Sequence, residues 1–246
     1  MNNTGSKKTI ALVTGANKGI GLQIARELGR AGITVYVGAR DRGRGEAAAA
    51  ELQLEGLEAH WIELDLANEA TLDAAAKRIE GEQGRLDVLV NNAGVVAEGD
   101  GTPGQADLAA IRTVFETNFF ATILVTQKLL PLIRKSKSGR IVNISSGLGS
   151  LTLTSDPSNL FSGYQILGYS ASKAALNMFT VMLARELQDA GILVNSADPG
   201  YTATDLNGHS GPQTLEEGAS EATRLATLPD DGPTGGYFSR HGAQPW

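Results

Sequence analysis

The residues of this chain best suited to chemistry are a tyrosine and a lysine four positions apart, in Tyr169-Ser-Ala-Ser-Lys173. On a helix such a pair shares one face, so the ammonium can approach the phenol and favour its ionised form below the usual pKa of ~10. A phenol tuned in this way exchanges a proton near neutrality. Of the five tyrosines, only Tyr169 has a lysine four residues on. Upstream, Asn143-Ile-Ser-Ser146 ends in two hydroxyls, and Asn118 stands in a segment of helical pattern. Taken singly, these serines could equally end a strand, and Asn118 could be a satisfied polar residue in a helix.

A second kind of chemistry is written in Thr14-Gly-Ala-Asn-Lys-Gly-Ile-Gly21, which follows an apolar run and opens a helical pattern. Glycines there permit a tight turn and close backbone approach to a pyrophosphate, and a helix N-terminus offers amide donors and a positive dipole. The spacing is Gly-x-x-x-Gly-x-Gly, so the strand–turn–helix context carries the reading. Beyond the next β-branched run comes Gly38-Ala-Arg-Asp-Arg-Gly-Arg44. An acid at that place would bind the free ribose hydroxyls of NAD, whereas Arg40, with Lys18 and Arg44, could converge on the 2′-phosphate of NADP(H). Asp41, next to Arg40, could itself take the ribose role.

The elements that must hold these residues can be read from periodicity. Short β-branched runs at Thr9–Val13, Ile33–Ala39, Ala59–Leu64, Leu86–Val90, Arg140–Ile144, Ile192–Ala197 and Gly236–Ser239 alternate with helical segments. Ile20, Ile24 and Leu28 mark one helix; Leu176, Phe179, Thr180, Leu183 and Leu187 mark another. The pattern predicts an α/β fold, a doubly wound, mostly parallel sheet of Rossmann type with six or seven parallel strands. Ligands then bind beyond the carboxyl ends of the strands. Two Gly/Pro-punctuated loops, Gly99–Gly104 and Leu206–Pro212, fall at that edge, the second as a short lid over the substrate.

Composition narrows the classes further. With 246 residues at 41% hydrophobic, one domain over 1–246 is expected. A net charge of −6 with no basic block argues against nucleic acid as a partner. The absence of cysteine and three scattered histidines, His60, His209 and His241, argue against a metal site. No signal-like segment and no apolar run of membrane-spanning length is evident, so a soluble, cytoplasmic protein without a membrane partner is expected.

In order and spacing, Thr14–Gly21, Asn91-Asn-Ala-Gly94, Asn118, Ser146, Tyr169-x-x-x-Lys173 and Pro199-Gly200 resemble the short-chain dehydrogenase/reductase family over nearly the whole chain. The Gly loop followed by Ala39-Arg-Asp41 and a further Arg looks like its NADPH-dependent carbonyl reductases. The resemblance implies that Tyr169 is the general acid, that Ser146 bonds the substrate oxygen, and that Lys173 holds the nicotinamide ribose and lowers the Tyr169 pKa. It implies that Asn118 anchors a water of the proton relay. For the cofactor it implies contacts from Gly15, Asn17, Lys18, Gly19, Ile20 and Gly21, with Arg40 and Arg44 on the phosphate and Asp65 and Leu66 near adenine. Asn92, Ala93 and Gly94 would line the cleft, and Pro199, Gly200, Thr202 and Thr204 would meet the carboxamide.

The expected activity is hydride transfer from NADPH to a ketone or aldehyde, reversible in principle. Two alternatives stand beside it: a secondary-alcohol dehydrogenase using NAD(P)+, and a catalytically idle NADP-binding regulator. The intact Ser146, Tyr169 and Lys173 set argues against the regulator, which needs no proton relay. Ser146 and Tyr169 lie 23 positions apart, farther than the family's usual spacing, and the extra segment contains Leu151–Ser158. That segment leaves the choice between monomer and homo-oligomer open. Tyr164, Tyr201 and His209 are candidate substrate contacts with equally good readings as surface residues, and His60 reads as structural.

Overall fold

The computed structural model describes residues 8–246. Its centre is an eight-stranded sheet formed by β1 (Ile10–Thr14), β2 (Thr34–Ala39), β3 (Ala59–Glu63), β4 (Val88–Asn91), β5 (Arg140–Ile144), β6 (Leu193–Asp198), β7 (Tyr237–Ser239) and β8 (Gly242–Ala243). The strand order is β3-β2-β1-β4-β5-β6-β7-β8. All pairs are parallel except β7 with β8, a two-residue antiparallel edge that the sequence pattern did not predict. Two residues are too few to carry an alternation signal.

Because side chains alternate along a strand, β1 sends Ile10 and Leu12 to one face and Ala11 and Val13 to the other, where two separate cores form. The first core takes α1 (Gly19–Arg30), α2 (Arg42–Leu54) and α8 (Leu215–Ala226); Ile24 and Leu28 are fully buried in it. The second takes α3 (Glu69–Gln83), α5 (Ala121–Ile133) and α7 (Leu167–Glu186), with Leu183 and Leu187. The short α6 (Leu151–Ser155) occupies the extra segment.

Between β4 and β5, α4 (Leu108–Phe115) continues through one π-helical turn, Glu116–Phe120, into α5. Contrary to expectation, Leu108–Ile133 is long and apolar enough to cross a membrane by length and composition. Arg112, Glu116 and Lys128 interrupt the apolar run in sequence, which hides it. In this fold the helix packs on α3 and α7, and Lys128 bridges to Glu69 and Asp73 of α3.

The strand order reverses between β1 and β4, so the turns that follow these two strands flank a crevice. A buried polar seam runs beneath it. Asn91 and Asn143, at paired positions of β4 and β5, are linked at 2.8 Å. Asn91 also donates to Thr126 of α5 and Asn143 to Thr180 of α7, pinning both helices to the sheet.

Candidate active site

At the crevice the backbone itself makes the walls. Gly15 and Gly19 have φ of +62° and +58°, a region that side chains disfavour. A Cβ on Gly21 would lie 2.4 Å from Asn92 Nδ2 and 2.7 Å from the Gly15 carbonyl, so the turn after β1 closes directly on the turn after β4. Thr14 Oγ1 locks that closure by accepting the amides of Asn92 and Ala93, each at 3.0 Å. The N-terminus of α1 has no side-chain cap, which leaves first-turn amides for an anion. The resulting cleft, about 560 Å³, is lined by Asn17, Lys18, Gly19 and Ile20 on one side and by Asn92, Ala93 and Gly94 on the other. Its volume is that of a small-molecule site.

At the end of β2, Arg40 lines the cleft and makes no ion pair among the described residues. Asp41 is committed elsewhere: its Oδ1 accepts the Arg44 amide at 2.8 Å and caps α2. Arg44 pairs with that same carboxylate and stands outside the cleft lining, so it does not join Arg40. Lys18 lines the cleft but pairs with Asp205 on the opposite wall.

Tyr169 and Lys173 lie on the first turns of α7, facing the end of β5. The Tyr169 hydroxyl lies near Ser146, whose Oγ accepts the Leu148 amide at 3.2 Å. Lys173 is 3% exposed, donates to the Ile144 carbonyl at 2.7 Å, and places Nζ 5.5 Å from the centre of the Tyr169 ring. The expected lowering of the phenol pKa is not found in the protein alone. Burial pushes Tyr169 up to about 12, only partly offset by the nearby Ser146 hydroxyl, and Asp198 adds to the rise. Burial also pushes Lys173 down to about 8. Desolvation of both groups outweighs their mutual approach.

Asn118 lies inside the π-helical turn, 1% exposed. Its Oδ1 accepts the Val95 amide at 2.8 Å and its Nδ2 donates to the Val95 carbonyl at 3.0 Å, bracing the wall after β4. A Cβ on Gly94 would stand 3.4 Å from Asn118 Oδ1 and 3.5 Å from Lys173 Nζ. Gly94 thus brings the wall after β4 within van der Waals reach of Asn118 and Lys173.

Known proteins match this chain over most of its length. Residues 9–214 match the family described as short chain dehydrogenase. The chain belongs to the short-chain dehydrogenase family. It is 35% identical over 280 residues to carbonyl reductase (NADPH) 1 of Mus musculus, covering 98% of this chain and 99% of that one. It is 38% identical to carbonyl reductase (NADPH) 3 of Rattus norvegicus, covering 90% and 92%. Among solved structures, NADPH-bound carbonyl reductase from chicken fatty liver superposes with a TM-score of 0.85 at 28% identity, covering 98% of this chain and all of that one.

Most positions that the short-chain dehydrogenase resemblance pointed to do meet at one cleft. Asp65, Leu66, Pro199 and Thr204 line it together with the residues named above. Gly200 and Thr202 do not, nor do Ser146, whose Oγ accepts the Leu148 amide at 3.2 Å beside the lining Ser145, and Asn118, which is taken up by Val95. Gly200 has φ +69° and sits so close to Gln213 that a Cβ would lie 2.4 Å from its Oε1. Thr202 is 3% exposed and turns inward to the Pro199 carbonyl and Gln213, pinning the post-β6 loop. His60 packs at 5.7 Å against Tyr36, a structural place. Tyr164 and Tyr201 meet edge to face at 6.0 Å, and His209 pairs with Asp205.

Two residues at this short-chain dehydrogenase site carry no sequence signal. Asp100 accepts the amides of Gly168 and Tyr169, and Asp198 ends β6 with a buried carboxylate. Asp100 sits in a Gly/Pro-rich loop, where an aspartate ordinarily serves its own turn.

Proposed function

We propose that this protein reduces a ketone or aldehyde to an alcohol with NADPH, Tyr169 giving the proton. The observation that carries the reading is Tyr169 beside a buried Lys173 in the lining of one open cleft, with Ser146 near the phenol at the end of β5. The uncapped start of α1 and the glycines at 15, 19 and 21 suit a pyrophosphate, and Arg40 suits a 2′-phosphate. When bound, NADPH supplies the hydride that the carbonyl carbon accepts.

Ser146 holds the carbonyl oxygen by a hydrogen bond and so fixes the carbon against the cofactor face of the cleft. As negative charge grows on that oxygen, Tyr169 transfers its hydroxyl proton to it and the alcohol forms. Burial keeps the phenol protonated, so it meets the carbonyl oxygen as a neutral hydrogen-bond donor. Lys173 holds ribose hydroxyls with its ammonium. Asn118 braces the Gly94–Val95 wall next to Lys173, at the place suited to a relay water from which Tyr169 regains its proton.

The support from relatives is that several are named NADPH carbonyl reductases at 35–38% identity over nine-tenths or more of this chain. Tyr169→Phe tests the assignment. Carbonyl-dependent NADPH oxidation should fall by at least ~10²-fold, while NADPH affinity stays within a few-fold, because only the proton donor is lost. Near-normal turnover in that variant would remove it.

A further inference from the structure

The extra segment between Ser146 and Tyr169 is fastened along its length. At its start Ser150 caps α6, its Oγ accepting the Leu153 amide at 3.1 Å. Further on, a 3-10 turn at Leu160–Gly163 is capped by Asn159, whose Oδ1 accepts the Phe161 amide at 3.0 Å. Where the chain enters α7, the Leu167 amide donates to the Gly101 carbonyl at 3.0 Å and so ties the segment to the loop after β4.

In a 3-10 turn, residues three apart share one side. Phe161 and Tyr164 stand in that relation, and the Tyr164 amide closes the turn on the Phe161 carbonyl at 3.2 Å. A Cβ on Gly147 would run into Cε2 and Cζ of Phe161, so this half-buried ring is seated directly on the residue after Ser146. The Tyr164 ring meets that of Tyr201 edge to face at 6.0 Å. Tyr201 in turn shares a 2.5 Å hydrogen bond with Ser210 of the Leu206–Pro212 loop. One turn of the extra segment thereby joins the turn that carries Ser146 to the loop that follows β6.

We propose that Phe161 is a specificity-determining residue: its ring fills the space beside Ser146 and so limits the size of the group that a substrate carries on that side of its carbonyl. The proposal rests on Ser146 holding the carbonyl oxygen and Tyr169 giving the proton. With the oxygen held there, one substituent of the carbonyl carbon is directed toward the Gly147 turn, where the absence of a side chain leaves room that the Phe161 ring takes up. The Asn159 cap and the Tyr164–Tyr201 contact keep the ring from swinging aside, so a bulky group is excluded. An aldehyde, with only hydrogen on that side, meets no such limit.

The test compares NADPH-dependent reduction of phenyl tert-butyl ketone and of benzaldehyde, which share one ring and differ in the second group on the carbonyl. In Phe161→Ala the ratio of kcat/KM on the ketone to that on the aldehyde should rise at least about tenfold over wild type, the discrimination ordinarily available from one or two methylene groups in an apolar pocket. Phe161→Leu, which keeps an apolar contact with Gly147, should raise the same ratio by about threefold. A ring that only steadied the Ser146 turn would change both substrates together, so an unmoved or lowered ratio overturns the proposal. If Phe161→Ala does not fold, Phe161→Leu decides by that ratio. Reduction of benzaldehyde by wild type, and its loss in Tyr169→Phe, reports on the reductase reading separately.

Discussion

The carboxylate of Asp100 accepts the backbone amides of both Gly168 and Tyr169, at 2.7 and 2.8 Å. It therefore acts as the N-cap of α7 from 69 residues away, because the residue at the helix's own N-cap, Ile166, has no side chain that can accept. The same contact fixes the backbone from which the Tyr169 ring projects. Removing it by Asp100→Ala should cost about 0.5–2 kcal/mol of stability, the usual value of a cap, and lower turnover by freeing the first turn of α7. Asp100→Asn, which keeps one acceptor oxygen but turns an NH2 donor toward the other amide, should recover only part of both. Denaturant unfolding and steady-state kinetics on the two variants check this; an alanine variant as active and stable as wild type would contradict it.

Arg40 should decide cofactor choice, since Asp41 is spent capping α2 and Arg44 is paired with Asp41. A charge-assisted bond to a 2′-phosphate contributes roughly 1.5–3 kcal/mol, about ten- to a hundredfold. We expect at least a tenfold preference for NADPH over NADH in kcat/KM. Arg40→Asp should reverse it by repelling the phosphate and accepting ribose hydroxyls. Equal efficiencies in wild type would remove this role for Arg40.

The pH dependence of reduction should follow Lys173 rather than Tyr169. Burial places Lys173 at about 8, so its charge is present below that pH and is lost above it. Tyr169, pushed up to about 12, keeps its proton throughout this range. Accordingly kcat/KM for NADPH should fall as pH rises through about 8. In Lys173→Arg, whose guanidinium does not titrate there, the residual activity should show no such fall.

The loop Leu206–Pro212 should behave as a lid latched at one end. Asp205 bridges to Lys18 across the cleft and to His209 at 2.8 Å, both largely exposed pairs. Both pairs are screened by solvent, so Asp205→Asn should raise amide exchange over residues 206–212 by no more than a few-fold. NADPH should slow the same amides. Exchange that neither the substitution nor the cofactor alters would count against a lid.

Local patterns along the chain were enough to read the layering and the place of the chemistry. β-Branched runs, four-residue helical rhythm and the Thr14–Gly21 turn act over a few residues, so they predicted β1–β7, α1, α7 and the cleft at their carboxyl ends. The side-chain pair Tyr169 and Lys173 was legible because i, i+4 spacing alone puts both on one face. Tertiary structure decided what depends on distant chain segments. Asp100 reaches α7, Lys18 is claimed by Asp205, Gly200 and Thr202 turn toward Gln213, and Asn118 grips Val95. It also reversed the electrostatics at the site. Spacing brings an ammonium near a phenol, but packing against the ends of β5 and β6 strips water from both, and that desolvation raises Tyr169 where proximity alone would lower it.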